Sequence, residues 1–311
     1  MSKYFQQSFQ SATSGPESVD AGVEKWVDTL NAPAGQVKPA QPGNGAAHTV
    51  TTLKTLQQQL ETEAPVAQRM NTKMMRKSPA ELSVFNDEEN TTQSIVEAYR
   101  ALRTRLLRAQ ATKGMRSVVV TSSIQGEGKT FTASNTAVCL AQLHSERVLL
   151  MDGDLRTGGL SHFFGEPDGP GLADALEGKI AFSDVVMATP IKNLWFMPVG
   201  RSALAAPELF AGPRWKEMTE WAASEFSITV VDAPPITMLA DTELIIAGCD
   251  AVVAVVRTRT APREIVEQAA HRIEKAKLLG VVMNGVEVTR ANSYGSYYKS
   301  YYRAQNGRKK A

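Results

Sequence analysis

Cysteine is nearly missing from this chain, with Cys139 and Cys249 the two among 311 residues. They lie far apart in sequence among apolar neighbours. That excludes a disulfide framework and leaves them as reduced core residues of a cytosolic protein. Long hydrophobic runs are missing too. The longest are of strand length, such as Ala251–Val256, far short of the roughly 18 apolar residues of a membrane-spanning helix. Met1–Phe9 is polar, unlike a secretory leader. Net charge is almost absent at +2 and says little about partners. What is present, 43% hydrophobic and 21% charged residues, supports one sizeable α/β core plus extra segments. The expectation is a soluble cytoplasmic protein whose association with a membrane comes through a partner.

The first 89 residues read as a low-complexity arm. Between Asn31 and Gly45 stand Pro33, Pro39 and Pro42 with Gly35, Gly43 and Gly45, a linker composition. Leu53, Leu56 and Leu60 could line one face of a short helix. The plain reading is a tether, and the sharper one is a docking segment for a membrane or assembly partner.

Order is expected from Asn90. Thr91 or Thr92 can cap a helix whose Ile95, Tyr99, Leu102 and Leu106 form one apolar stripe. Glu97, Arg100 and Arg103 advance three residues at a time on the same helix. By spacing alone, Glu97 with Arg100 is an ordinary exposed pair worth a few tenths of a kcal/mol.

The densest signal is Ser117–Thr130. Val118, Val119 and Val120 make the β-branched run of a strand buried on both faces. Gly126 and Gly128 follow, then Lys129-Thr130. Ala133, Ala137, Leu140 and Ala141 next recur at helical spacing, so a helix begins near Lys129. Strand, glycine turn and helix N-terminus form an anion cradle of inward-pointing N–H groups under a positive dipole end. Lys129 then supplies charge for the β- and γ-phosphates, and the Thr130 hydroxyl is a Mg²⁺ ligand. The regular G-x-x-x-x-G-K-[ST] pattern is broken at its first position by Ser123.

Carboxylates end two further apolar strands. Arg147–Met151 runs into Asp152-Gly153-Asp154-Leu155-Arg156, and Ile228–Val231 into Asp232-Ala233-Pro234-Pro235. Open α/β sheets put their ligands at such carboxyl ends. Asp152 and Asp154 are close like charges and call for a cation, or for a proton taken from an attacking hydroxyl. Further strands are expected at Leu194–Val199, Asp250–Arg257 and Gly280–Asn284. Helices are expected at Gly171–Leu176, from Pro207, over Pro213–Ala223 and over Pro262–Ala276. The alternation predicts an α/β, doubly wound, mostly parallel sheet with helices on both faces.

From Arg290 onward there are six basic residues and no acid, and Tyr294, Tyr297, Tyr298, Tyr301 and Tyr302 crowd together. Neither helical nor strand periodicity buries these rings, so a flexible exposed tail over 288–311 is expected. The rings could stack on single-stranded nucleic acid, or their hydroxyls could accept phosphate.

Taken together, the chain resembles the bacterial tyrosine kinases, the cytoplasmic autokinases of capsule and exopolysaccharide production. The resemblance rests on Glu97-x-x-Arg100-x-x-Arg103, Gly126-Glu127-Gly128-Lys129-Thr130, Met151–Arg156, Val231–Pro235 and the tyrosine cluster. It implies a kinase domain over 90–287 that takes ATP and Mg²⁺. Nucleotide contacts would come from Gly126, Glu127, Gly128, Lys129, Thr130 and Phe131, with Asn284 at adenine. Mg²⁺ would be held by Thr130, Asp152 and Asp232, with Asp152 or Asp154 activating the tyrosine hydroxyl. Glu97, Arg100 and Arg103 would pair subunits into a homo-oligomeric ring, which reverses the spacing-only reading. The tail tyrosines would be acceptors, and a separate membrane-spanning polysaccharide co-polymerase would switch the kinase on. No nucleic-acid partner is implied. The chain departs from related septum-positioning and plasmid-partition ATPases, which carry lysine where Ile124 stands. The alternative reading is an ATPase switch of their kind, binding DNA or membrane without phosphorylating protein.

Overall fold

The structure, a computed structural model, describes residues 73–74, 90–143, 145–202 and 204–286. Its strands are β1 (Lys73–Met74), β2 (Ser117–Ser122), β3 (Val148–Asp152), β4 (Met187–Ala188), β5 (Leu194–Met197), β6 (Ile228–Asp232), β7 (Ala251–Arg257) and β8 (Leu278–Asn284). Helices are α1 (Asn90–Lys113), α2 (Lys129–Ala141), α3 (Gly159–Phe163), α4 (Leu172–Leu176), α5 (Ala206–Ala211), α6 (Pro213–Glu225), α7 (Asp241–Ala247) and α8 (Arg263–Arg272).

The strands form one sheet in the order β1-β4-β5-β3-β6-β2-β7-β8. All neighbours run parallel except β4 and β5. The expected mostly parallel α/β sheet is therefore what forms. The centre of the sheet is made by β2, β3 and β6, each buried at every residue. From β2 the chain crosses over β6 to reach β3, and from β6 it crosses over β2 to reach β7. That reversal opens a crevice at the carboxyl ends of the central strands.

The apolar stripe of α1 packs as its spacing predicts: Tyr99 and Leu106 are buried and Leu102 packs against the core. Burying a leucine such as Leu106 contributes roughly 1.5–3 kcal/mol. Its neighbour α2 is buried from Thr132 to Ala141 and separates α1 from the sheet.

Several elements differ from expectation. Lys73–Met74, inside the supposed arm, pairs with β4 at the sheet edge. Helices α3 and α7 and strand β4 were not expected, being too short to show a period. The helix expected to reach Ala276 stops at Arg272. Ile273 turns extended and buries in the core, and Lys277 then donates to the carbonyls of Ile246, Ala247 and Cys249 at 2.8–2.9 Å. Three satisfied acceptors at the end of α7 outweigh one more helical turn.

Candidate functional site

Asp152 and Asp232 are register partners on adjacent parallel strands, and Asp232 also pairs with Val120 of β2. The main chain fastens these ends together. The Gly153 amide donates to the Asp232 carbonyl at 2.8 Å, and the Ala233 amide to Val120 at 3.0 Å. Hydroxyls of Thr121 and Thr242 both donate to the Pro234 carbonyl, at 2.7 and 3.0 Å. The Ala233-Pro234-Pro235 turn is thereby fixed beside β2.

The loop after β2 turns through two left-handed residues, Gly126 at φ 86° and Gly128 at φ 92°. Gly128 caps α2, so Lys129 and Thr130 open its first turn, followed by half-buried Phe131. The side chain of Glu127 points inward and is fully buried. Its carboxylate accepts from the Ile124 amide at 2.9 Å and the Arg257 amide at 3.2 Å. Glu127 thus braces the loop with its side chain, and only its backbone faces the cradle's task. Asn284, at the end of β8, donates its amide to the Glu127 carbonyl at 2.9 Å. Its side chain is therefore engaged with the loop itself.

Lys129 extends over the strand ends. Its ammonium lies 3.4 Å from Asp154 Oδ2 and 3.9 Å from Asp232 Oδ1. Burial works to lower its pKa, but Asp232 and Asp154 together prevail and raise it, so the ammonium stays charged. Burial also pushes Asp152 up to about 6, although Ser161 hydrogen bonds work against it. Asp232 is pushed up to about 7, chiefly by burial, while Lys129 and the nearby Thr130 hydroxyl favour its ionised form.

The three acids have different surroundings. Asp152 Oδ2 accepts from the Ser161 amide at 2.8 Å and hydroxyl at 2.7 Å, and Oδ1 from the Asp154 amide at 3.3 Å. Asp154 accepts from the Thr157 amide at 3.2 Å with the oxygen not facing Lys129. Neither oxygen of Asp232 makes a hydrogen bond of normal geometry, though both are buried. A buried carboxylate left without donors suits a hydrated cation. Among the described residues no three His, Cys, Asp or Glu side chains converge into a metal cage. Mg²⁺ characteristically needs none, taking one or two carboxylates plus waters and substrate phosphates. The residues present fit that ion.

Sequence reasoning missed two supports. Ser161 holds Asp152 and also accepts from the Val199 amide at 2.8 Å. Asp241 at the start of α7 binds Arg156 through both oxygens, at 2.8 and 3.3 Å. Neither carries a spacing signal, since each partner is brought in by the fold. Beside Leu155 and Arg156 opens a cavity of about 480 Å³, lined in part by Ala173, Leu204 and Leu209.

Away from the crevice, Glu97 and Arg100 on α1 form an exposed ion pair at 2.6 Å. Arg103 instead donates to the Cys139 carbonyl at 3.0 Å, near the end of α2, so its guanidinium is engaged within the chain. The five tail tyrosines lie outside the described residues.

A glycine-looped helix start, a lysine and three strand-end acids at one crevice define an α/β nucleotide-phosphate-binding fold of the P-loop type. Sequence similarity narrows the class. The tyrosine-protein kinase YwqD of Bacillus subtilis (strain 168) is 32% identical over 203 residues, covering 65% of this chain and 85% of that relative. The tyrosine-protein kinase wzc of Salmonella typhi is 30% identical over 216 residues, covering 68% of this chain. Among solved structures, the kinase domain of Escherichia coli tyrosine kinase ETK matches with a TM-score of 0.60 and 27% identity, over 66% of this chain and 81% of that one. The BceF tyrosine kinase domain matches with a TM-score of 0.58 and 27% identity, over 70% and 95%. No family model matches the chain. The chain belongs to the bacterial tyrosine-protein kinases. It spans only 28% and 30% of the length of two such relatives, EpsB and wzc.

Proposed function

We propose that this chain is an ATP-dependent protein-tyrosine autokinase. Tyr294, Tyr297, Tyr298, Tyr301 and Tyr302 of one copy accept phosphate in the site of its neighbour within a ring, under a membrane-spanning activator. The output is control of exopolysaccharide or capsule synthesis at the inner face of the membrane. The observation that carries the reading is Lys129 lying between Asp154 and Asp232 at the start of α2.

A phenol has a pKa near roughly 10 and must lose its proton to become a nucleophile. Asp154, with Lys129 3.4 Å from its Oδ2, is the acceptor for that proton, with Asp152 two residues before it. The loop amides and Lys129 hold the β- and γ-phosphates and offset charge as the phosphoryl group moves. Thr130, Asp152 and Asp232 would hold Mg²⁺, which when bound neutralises phosphate charge. Phe131 and Asn284 would face the nucleotide, and Glu97 with Arg100 would meet the neighbouring copy. The domain would run over 90–287, between an arm and the acceptor tail.

The test is incubation of the full chain with labelled ATP and Mg²⁺, with mass spectrometry of the tail. Phosphate on Tyr294–Tyr302 in the wild type, absent from Lys129→Met, is the expected result. ATP hydrolysis with no phosphate on any tyrosine, even with a co-expressed membrane activator, overturns the reading.

A further inference from the structure

We infer that Tyr99 is a positioning residue for the nucleotide loop: its hydroxyl, Thr132 and Asn284 form one hydrogen-bonded chain from α1 to the Glu127 carbonyl. The inference rests on the reading that this loop holds nucleotide, and it adds a residue on a different helix.

The links are each local. Tyr99 is 6% exposed and its hydroxyl bonds the Thr132 side chain. Thr132 is completely buried on the first turn of α2. Its hydroxyl receives the Asn284 amide at 3.4 Å, and the same amide nitrogen donates to the Glu127 carbonyl at 2.9 Å. A Cβ built on Gly128 would come within 2.4 Å of that nitrogen, so Asn284 is seated hard against the loop.

A phenylalanine would fill the same space on α1. A buried hydroxyl costs free energy unless it is bonded, so the chain of polar partners is what makes tyrosine suitable there. Burial drives its phenol well above the usual value, which keeps it a neutral hydroxyl. Tyr99 and Arg103 lie one turn apart and hold α2 at two points, Thr132 and the Cys139 carbonyl. The helix bearing the exposed Glu97–Arg100 pair is thereby tied to the loop that cradles phosphate.

The experiment measures MgATP binding to the full chain by titration calorimetry, so that it does not depend on phosphate transfer. Tyr99→Phe and Thr132→Val each remove a hydroxyl with little change in shape, and each is expected to weaken binding about fivefold, one hydrogen bond's worth. Thr132→Ser keeps the hydroxyl and is expected to bind as wild type, as is Thr112→Ala at the far end of α1. The double variant Tyr99→Phe/Thr132→Val should be no weaker than either single. Binding within twofold of wild type for either single variant, or independent losses in the double, overturns the inference. If one variant fails to fold, the other decides. Wild-type binding of MgATP without tyrosine phosphorylation would sink the kinase reading and leave this one standing on its own numbers.

Discussion

Asp232 is a fully buried acid whose oxygens make no hydrogen bond of normal geometry, and its carboxyl is pushed from 3.8 up to about 7. Asp152 follows the same course to about 6. In the folded state both hold protons that the unfolded chain has released, so folding loses stability as pH climbs from about 4 to 7 and levels off above. Melts of chelator-treated protein are expected to show Tm falling between pH 5 and 7.5. Asp232→Asn removes the larger share of that slope, and it is the more stable form at pH 7.5 but not at pH 5. An equal slope in both proteins would contradict the burial argument. Mg²⁺ with nucleotide should stabilise the wild type selectively, because it offsets this charge.

At the scale of elements, the loop between β2 and α2 depends on Gly128 for two reasons. Its φ of 92° is left-handed, and Asn284 occupies the space a Cβ would need. Gly128→Ala is expected to cost about 1–2 kcal/mol for the backbone alone, with a further loss from the collision, read by urea unfolding. In an Asn284→Ala background the collision is gone, so the same substitution should cost less. Equal costs in the two backgrounds would show that Asn284 does not press on the loop. Arg103 belongs to this scale too. Its spacing reads as part of an outward-facing motif, yet the fold gives it the carbonyl of Cys139. Of that motif, Glu97 and Arg100 form the exposed ion pair, while Arg103 is partly buried.

For the whole molecule, the tail from Arg290 carries six positive charges and no negative ones. Each phosphate adds about −1.5 to −2, so five would take the tail to roughly −2 to −4. Such a tail is repelled by Asp152, Asp154 and Asp232. Within the proposed function that repulsion would loosen the ring: light scattering of the fully phosphorylated protein is expected to give a smaller assembly than Lys129→Met, and equal sizes would overturn the loosening. No helix among the described residues is long and apolar enough to cross a membrane.

Much of this molecule is written in local pattern. Val118–Val120 and, Thr229 apart, Ile228–Val231 are buried on both faces and apolar, and Ala251–Val256 is apolar and mostly buried, which makes them visible as strands. Gly128, Lys129, Asp152 and Asp232 are legible as a candidate site because a phosphate with its cation would call for those types at a helix start and at strand ends. Tertiary structure alone decided the rest. Ser161 under Asp152, Asp241 under Arg156, and Thr132 between Tyr99 and Asn284 join segments separated by 9 to 152 residues. Such contacts leave no period in the chain, because what sets them is strand order rather than spacing. Strand order is also what makes register partners of Asp152 and Asp232 and places them beneath one lysine.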